Sequence, residues 1–374
     1  MATKGYAAPE VQTTYARAHA LCRQIGETPQ LFPVISGLFA FYFVRGNLRT
    51  ARMLAEQALR LAESAAELPF LLEAHRMLGN VLHYLGEFPL ALHHFEQAIS
   101  LYDLQHHRTL AFMSGQDPGV VCRSFASLSL WLLGYGDQAR VRSEEAVTLA
   151  RELGHVNTLG LALSLAANFR NNRREWSEAL TYAEASVSLA EEQGLVFWGA
   201  LGMYNLGFAL VNLGQHENGM KKMHQGIEMY QAAGAGLVRA GNLITVAGMY
   251  GMIGRTDEGL QMVTEARAFM DQSGERGWES FLQITKGSLL LQSNSPQKEA
   301  EAEDCFRKAI AVAQQLQTKS PELRATMGLA RLWQKQGKRK EAHKMLSEVY
   351  GWFTEGFDTA DLKDARALLE ALRQ

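Results

Sequence analysis

Residues Met77 to Asp103 read MLGNVLHYLGEFPLALHHFEQAISLYD. The stretch is one complete helix-turn-helix unit. Leu78-Gly79 and Leu82 share a face of a first helix, and Gly86 breaks it. Ala91, Phe95 and Ala98 follow on a second helix at four- and three-residue steps. Each residue type has a physical reason. Gly79 and Ala91 are small and let the two helices approach. Gly86 supplies the backbone freedom for the turn between them. Phe95 fills the space between the helices, and Ala98 lets the next unit dock. A single unit cannot bury its own apolar face, so such units stack.

The same marks recur along the chain. With Gly86 as the loop position, its equivalents are Tyr6, Gly46, Gly134, Arg174, Gly214, Gly254, Gln297 and Gly337, at steps of 40, 40, 48, 40, 40, 40, 43 and 40 residues. Five residues after each mark stand Val11, Ala51, Ala91, Ala139, Ala179, Gly219, Gly259, Ala302 and Ala342. Seven further on, Ala18, Ala58, Ala98, Ala146, Ser186, Gly226, Ala266, Ala309 and Val349 complete the grid. This is the tetratricopeptide (TPR) pattern, lengthened from about 34 to about 40 residues. Leu-Gly returns at Leu206-Gly207 in phase with the small and aromatic positions. The expected fold is all-α: a right-handed α-solenoid of about eight TPR-like repeats. Units are predicted at 31–64, 70–104, 120–153, 157–194, 197–234, 237–274, 278–318 and 320–355. Gly154, Gly194, Gly234 and Gly274 are read as left-handed caps that end second helices.

The two ends differ. Residues 1–30 hold only a second helix, at about 9–25, so they read as half a repeat with an uncovered apolar face. That face predicts dimerisation or fraying at the N-terminal end. At the other end, 356–374 reads as a capping helix with Leu362, Ala365, Leu368, Leu369 and Leu372 on one stripe.

Composition narrows the function. The formal net charge of −2 gives no global attraction to nucleic acid. Cys22, Cys122 and Cys305 stand far apart without a CxxC, which favours reduced thiols and a cytoplasmic location. No apolar signal core opens the chain, and the run Phe32 to Val44 is too short to span a bilayer. No GxxxxGK[ST], HExxH, GxSxG or CxxC is present, and Gly234-Ala-Gly236 lacks the strand a dinucleotide loop needs. The expectation is a non-enzyme with no cofactor and no metal.

Binding is the remaining chemistry. Counting from the loop marks, the inward positions of the first helices include Glu73, Arg76, Asn80 and His83, then Ser124 and Trp131, then Ser164, Asn168 and Asn171, then Tyr204 and Phe208. Arg76, Asn80, His83, Trp131, Asn168, Asn171, Tyr204 and Phe208 are the candidate groove residues. Arg76 and Asn80 supply half of a carboxylate clamp, but Val121 and Phe125 in the next unit do not complete it. The 48-residue step holds an insertion, DLQHHRTLAFMSGQDPG at 103–119. Long loops inside compact arrays are often functional. Its His106, His107 and Asp117 admit two readings: a ligand or metal site, or an extended loop ended by the Asp117-Pro118-Gly119 turn.

Several stretches resemble the C-terminal TPR region of bacterial signalling proteins that join an adenylate/guanylate cyclase domain, a STAND-type (AAA-like) ATPase and a TPR tail. They are KGYAAPEV at 4–11, LFPVISGLFAFYFVRGNLRTAR at 31–52, GQDPGVVC at 115–122, LWLLGYGDQA at 130–139, SPELRATMGLARLWQKQGKRKEA at 320–342 and YGWFTEGFDTADLKDARALLEAL at 350–372. The resemblance implies a sensor or regulatory arm and a protein or peptide partner, including an ATPase or cyclase domain. It names no ligand. The function expected is a protein-interaction module binding in the concave groove. The alternative is a small-molecule sensor with its ligand in the groove beside 103–119.

Overall fold

The computed structural model describes residues 31–107, 109–293 and 295–373, together with Arg17. The half-repeat read at 1–30, and the dimerisation expected of it, lie outside the described residues. Every regular element among the described residues is a helix, and they pair as the repeat grid predicts. The first two pairs are α1 (Leu31–Val44) with α2 (Leu48–Ala65), and α3 (Leu68–Leu85) with α4 (Phe88–Leu101). The insertion forms two short helices, α5 (Leu104–His107) and α6 (Leu110–Ser114). Then come α7 (Pro118–Leu133), α8 (Gly136–Leu153), α9 (Val156–Asn172), α10 (Trp176–Gln193), α11 (Val196–Asn212) and α12 (His216–Ala232). The array continues with α13 (Arg239–Met252), α14 (Thr256–Ser273), α15 (Glu279–Leu290), α16 (Pro296–Gln315), α17 (Lys319–Lys335) and α18 (Arg339–Tyr350), and ends in α19 (Ala360–Arg373). None of these helices is long and apolar enough to cross a membrane.

The residues that set the period do the work assigned to them. Gly86 closes α3 with φ 84°, a left-handed conformation that glycine adopts without steric cost. A Cβ on Gly79 would lie 2.4 Å from the Phe95 ring, so the glycine is what lets that ring sit between α3 and α4. Ala51, Ala91, Ala139, Ala179, Ala302 and Ala342 are fully buried. The caps at Gly154, Gly194, Gly234 and Gly274 all have positive φ. One mark is misplaced. Gln297 lies inside the first turn of α16, because Pro296 starts that helix early and its 20 residues absorb the 43-residue step.

By contacts the chain divides into two compact units. The first comprises the residues up to Ser127 and Val141–Val238. Within it α1 packs on α2 and α3, and α11 on α9, α10 and α12, so first helices touch first helices. Gly236 and Leu237 of this unit donate backbone N–H bonds to Val44 O at 3.0 and 3.1 Å. The second unit comprises Leu128–Arg140 and the chain from Arg239 onward. Its α15 and α17 pack on each other and on their second helices. The stripe Leu362, Ala365, Leu368, Leu369 and Leu372 of α19 is buried against Leu323, Met327, Leu346 and Phe353. Here too the chain meets itself far along: Ser320 Oγ donates to Trp131 O at 2.5 Å.

Candidate functional site

The inward positions of the first unit form a polar row on successive first helices. On α3 the guanidinium of Arg76 is held by the Glu73 carboxylate, with Arg76 Nε donating to Glu73 Oε2 at 2.8 Å. Ser36 of α1 donates to Glu73 Oε1 at 3.2 Å. Arg76 is therefore already paired with a carboxylate of its own helix. Asn80 and Ser124 are each 3% exposed, and neither Asn80 Oδ1 nor Ser124 Oγ has a hydrogen-bond partner among the described residues. On α9, Asn171 Nδ2 donates to Asn205 O at 3.0 Å, while its Oδ1 is unpartnered. Asn205 of α11 donates to Ser164 O at 3.2 Å and to Leu201 O at 3.0 Å. These amides tie neighbouring first helices together and leave acceptors over.

The other groove candidates separate by burial. His83 is a core residue, not a groove residue: it lies edge-on to Tyr84, Phe88 and Phe125. Burial lowers its pKa to about 3, so it is neutral. Tyr204 is 4% exposed, and its backbone is one that a Cβ on Gly226 would strike at 2.6 Å. Phe208 and Asn168 are half-buried, and the Phe208 ring centroid lies 5.7 Å from that of Trp176. In the second unit Trp131 is buried, stacked on Phe281 at 6.0 Å and covered by the Arg324 guanidinium at 5.1 Å. Arg324 Nε in turn donates to Asp361 Oδ2 at 2.8 Å. Trp131 is thus already occupied by the protein's own groups.

The insertion residues are used to order the loop. Asp117 caps α7: its Oδ1 accepts from Val120 N at 2.8 Å, and its Oδ2 accepts from Tyr102 Oη at 2.9 Å. Its own N–H donates to Thr158 Oγ1 at 2.9 Å. Burial outweighs these bonds and lifts the carboxyl above its ordinary range. His107 Nδ1 accepts from Asp103 N at 2.9 Å, and exposed His106 sits 2.9 Å from Asp103 Oδ1. Among the described residues no group of three such side chains could hold a metal ion.

Beside these residues the insertion leaves an open cleft of about 630 Å³, within the size range of small-ligand sites. Tyr102 and Leu104 form one wall, Arg123 sits deeper, and Val141, Glu144, Glu145, Thr148, Leu149 and Glu152 of α8 form the other. It lies against a second helix, not in the first-helix groove. The like charges of Glu144-Glu145 late in a helix read as an exposed pair in the sequence; positions 141, 144/145, 148/149 and 152 make a helical stripe on the second helix after the insertion.

A family model described as "Tetratricopeptide repeat" matches residues 35–103. A model described as "Anaphase-promoting complex subunit 5" matches residues 121–173. With the helix pairs in place, the assignment follows. The chain is a TPR-like helical-repeat solenoid. Among curated proteins no sequence matches it. Among solved structures it is similar to a Rap protein complexed with competence and sporulation factor, with TM-score 0.60 and 10% identity over 99% of this chain and 96% of that one. It is also similar to the Rap conjugation gene regulator of plasmid pLS20 in complex with the Phr* peptide, with TM-score 0.58 and 16% identity over 76% of this chain and 74% of that one. The human IFIT1 dimer with PPP-AAAA matches with TM-score 0.53 and 14% identity over 97% of this chain and 77% of that one. At these identities the likeness is one of fold.

Proposed function

We propose that this TPR-like solenoid is a non-catalytic regulatory module that binds a peptide or protein segment along the first-helix face. The observation that carries the reading is the set Asn80 Oδ1, Ser124 Oγ and Asn171 Oδ1: three buried polar atoms on α3, α7 and α9 without partners among the described residues. Buried polar atoms are ordinarily satisfied, so a run of exceptions on one kind of helix asks for a donor. Backbone N–H groups of an extended peptide are donors of that kind. Two proteins of the same fold are seen in complex with competence and sporulation factor and with the Phr* peptide, which supports the same class of partner. An ATPase or cyclase domain regulated by such an arm is the form of partner that the sequence resemblance implies.

Peptides selected on the purified chain from a display library test this. Their affinity should fall in Asn80→Ala and Ser124→Ala, and in Phe208→Ala, whose ring is half-buried rather than sealed. Loss of one such polar contact should weaken binding by about 0.5–1.5 kcal/mol. Tyr204→Ala is unsuitable, because truncating that buried ring perturbs packing. Selected peptides whose affinities ignore all three substitutions would remove the first-helix face from the proposal. A second reading, a small ligand beside the insertion, is favoured by the cleft at Tyr102 and α8.

A further inference from the structure

The second helix pair brings two histidines face to face. His75 of α3 and His94 of α4 hold their Nδ1 atoms 2.9 Å apart, with ring centroids 5.2 Å apart and planes inclined by 35°. Both residues are half-buried. Neither Nε2 has a hydrogen-bond partner among the described residues. Burial, and then the neighbouring histidines, lower both pKa values, that of His94 to about 4. The rings are therefore neutral at pH 7, and each keeps a nitrogen lone pair for a ligand. The ring of exposed His93 lies 5.5 Å from that of His94. Glu63 of α2 is near enough to oppose the lowering at His75.

We propose that His75 and His94 chelate one divalent transition-metal ion of the copper(II) or nickel(II) class through their Nδ1 atoms. The spacing carries this. Two imidazole nitrogens at about 2.0–2.1 Å from a metal lie about 3.4 Å apart at a tetrahedral angle and about 2.9 Å apart at 90°. The separation of 2.9 Å is the second, which suits neighbouring ligands of a tetragonal ion and not those of four-coordinate zinc. Without metal, one Nδ1–H donates to the other Nδ1. Metal binding replaces that bond, and the proton moves to the Nε2 of the same ring. Two protein ligands converge here and not three, so water completes the coordination. Neither His75 nor second-helix His94 is an inward position, so the proposal is independent of the peptide reading.

Cu2+ is the probe, titrated by calorimetry into the untagged chain at pH 7, with Zn2+ as the tetrahedral comparison. Electron paramagnetic resonance at one equivalent of copper counts the nitrogen ligands. The expected result is one tightly bound Cu2+ with hyperfine coupling to two imidazole nitrogens, and weaker binding of Zn2+. His75→Gln and His94→Gln should each weaken copper at least as much as loss of an outer-shell partner does, about 10–100-fold. His93→Gln and His106→Gln, at exposed positions, should leave it unchanged, and circular dichroism checks that all four fold. Copper affinity untouched by His75→Gln and His94→Gln, or lost only in His93→Gln, overturns the proposal. Zinc bound more tightly than copper overturns the tetragonal class. If a variant fails to fold, the wild-type spectrum still decides, because coupling to a single nitrogen excludes the pair. No saturable copper binding would leave the two rings as a hydrogen bond alone and overturn the site.

Discussion

Gly236 donates its backbone N–H to Val44 O at 3.0 Å, joining residues at opposite ends of the first unit's sequence. In an open solenoid each repeat touches only its neighbours. Here the backbone after α12 is seated on the end of α1, and the approach depends on the missing side chain. A Cβ on Gly236 would lie 2.5 Å from Arg45 O. Gly236→Ala should therefore push the two segments apart and cost about 1–3 kcal/mol, the usual range for overpacking. Hydrogen exchange at the amides of Gly236 and Leu237 reads this directly. Unchanged protection in the variant would show that the contact tolerates a methyl group.

Glu175 holds two buried arginines at once. Arg170 Nη1 donates to Glu175 Oε2 at 2.7 Å, and Arg173 Nε donates to Glu175 Oε1 at 2.8 Å. Both guanidiniums lie near the Phe169 ring, and the two residues are 4% and 3% exposed. Directly after Arg173, Arg174 stands in the left-handed region at φ 66°, where other repeats have glycine. Removing the shared carboxylate takes a charge-assisted hydrogen bond from each guanidinium, while Arg170 keeps Glu144 at 3.2 Å and Glu178 at 3.3 Å. Glu175→Ala should destabilise the chain by about 1.5–3 kcal/mol, the range of a hydrogen bond to a charged group. Urea denaturation measures it, and a loss below about 1 kcal/mol, the value of an exposed pair, would contradict this placement.

The repeat grid was legible because its marks are steric. Small residues at Ala91 or Ala179 admit no substitute where helices touch, and a glycine such as Gly86 advertises the turn. Gln297 escaped because Pro296, compatible with a first turn, starts α16 one residue before the mark. The groove was less legible. Position counting placed Asn80, Ser124 and Asn171 on one kind of face, and their unpartnered atoms agree with that. It could not foresee that Trp131 would be stacked by Phe281 and covered by Arg324, because those contacts join residues 150 and 193 positions apart, and a neighbour-only array has no place for them. The cleft at α8 depends on where Arg123 turns, which spacing alone does not decide.

Glu275 makes stability depend on pH. Its carboxyl is fully buried in the turn before α15, with Trp278 Nε1 donating to Oε2 at 3.1 Å and Oε1 unpartnered. Burial raises its pKa to about 7, against an ordinary 4.5. The folded state then binds more protons than the unfolded chain between those values. Stability from this group is full below the ordinary pKa and falls as pH rises to about 7. At 1.36 kcal/mol per unit of pKa the fall is about 3 kcal/mol. Glu275→Gln should flatten that window in denaturation curves taken from pH 4.5 to 8. A wild type whose stability rises across the window, and a variant that behaves the same way, would refute the assignment.

The first turn of α8 is capped by a residue 218 positions away. Glu355 Oε1 accepts from Asp137 N at 2.9 Å and from Gln138 N at 3.1 Å, and Gln138 Nε2 donates to Glu355 Oε2 at 3.0 Å. The exchange is reciprocal, since Gly356 N donates to Asp137 Oδ2 at 3.1 Å. A helix start has free N–H groups and a partial positive charge, and a carboxylate answers both. In most helices that acceptor is the residue just before the start. Here it belongs to the turn between α18 and α19, so capping one helix also anchors the end of the second unit. Glu355→Ala should cost about 0.5–2 kcal/mol, the value of a lost cap. Unlike an ordinary cap, its loss should raise hydrogen exchange in two places, at Asp137 and Gln138 and at Gly356. Glu355→Gln retains an acceptor but not the charge and should fall between. Faster exchange confined to residues 137 and 138 would mean that the cap is local and the 353–357 turn is held by its other contacts alone.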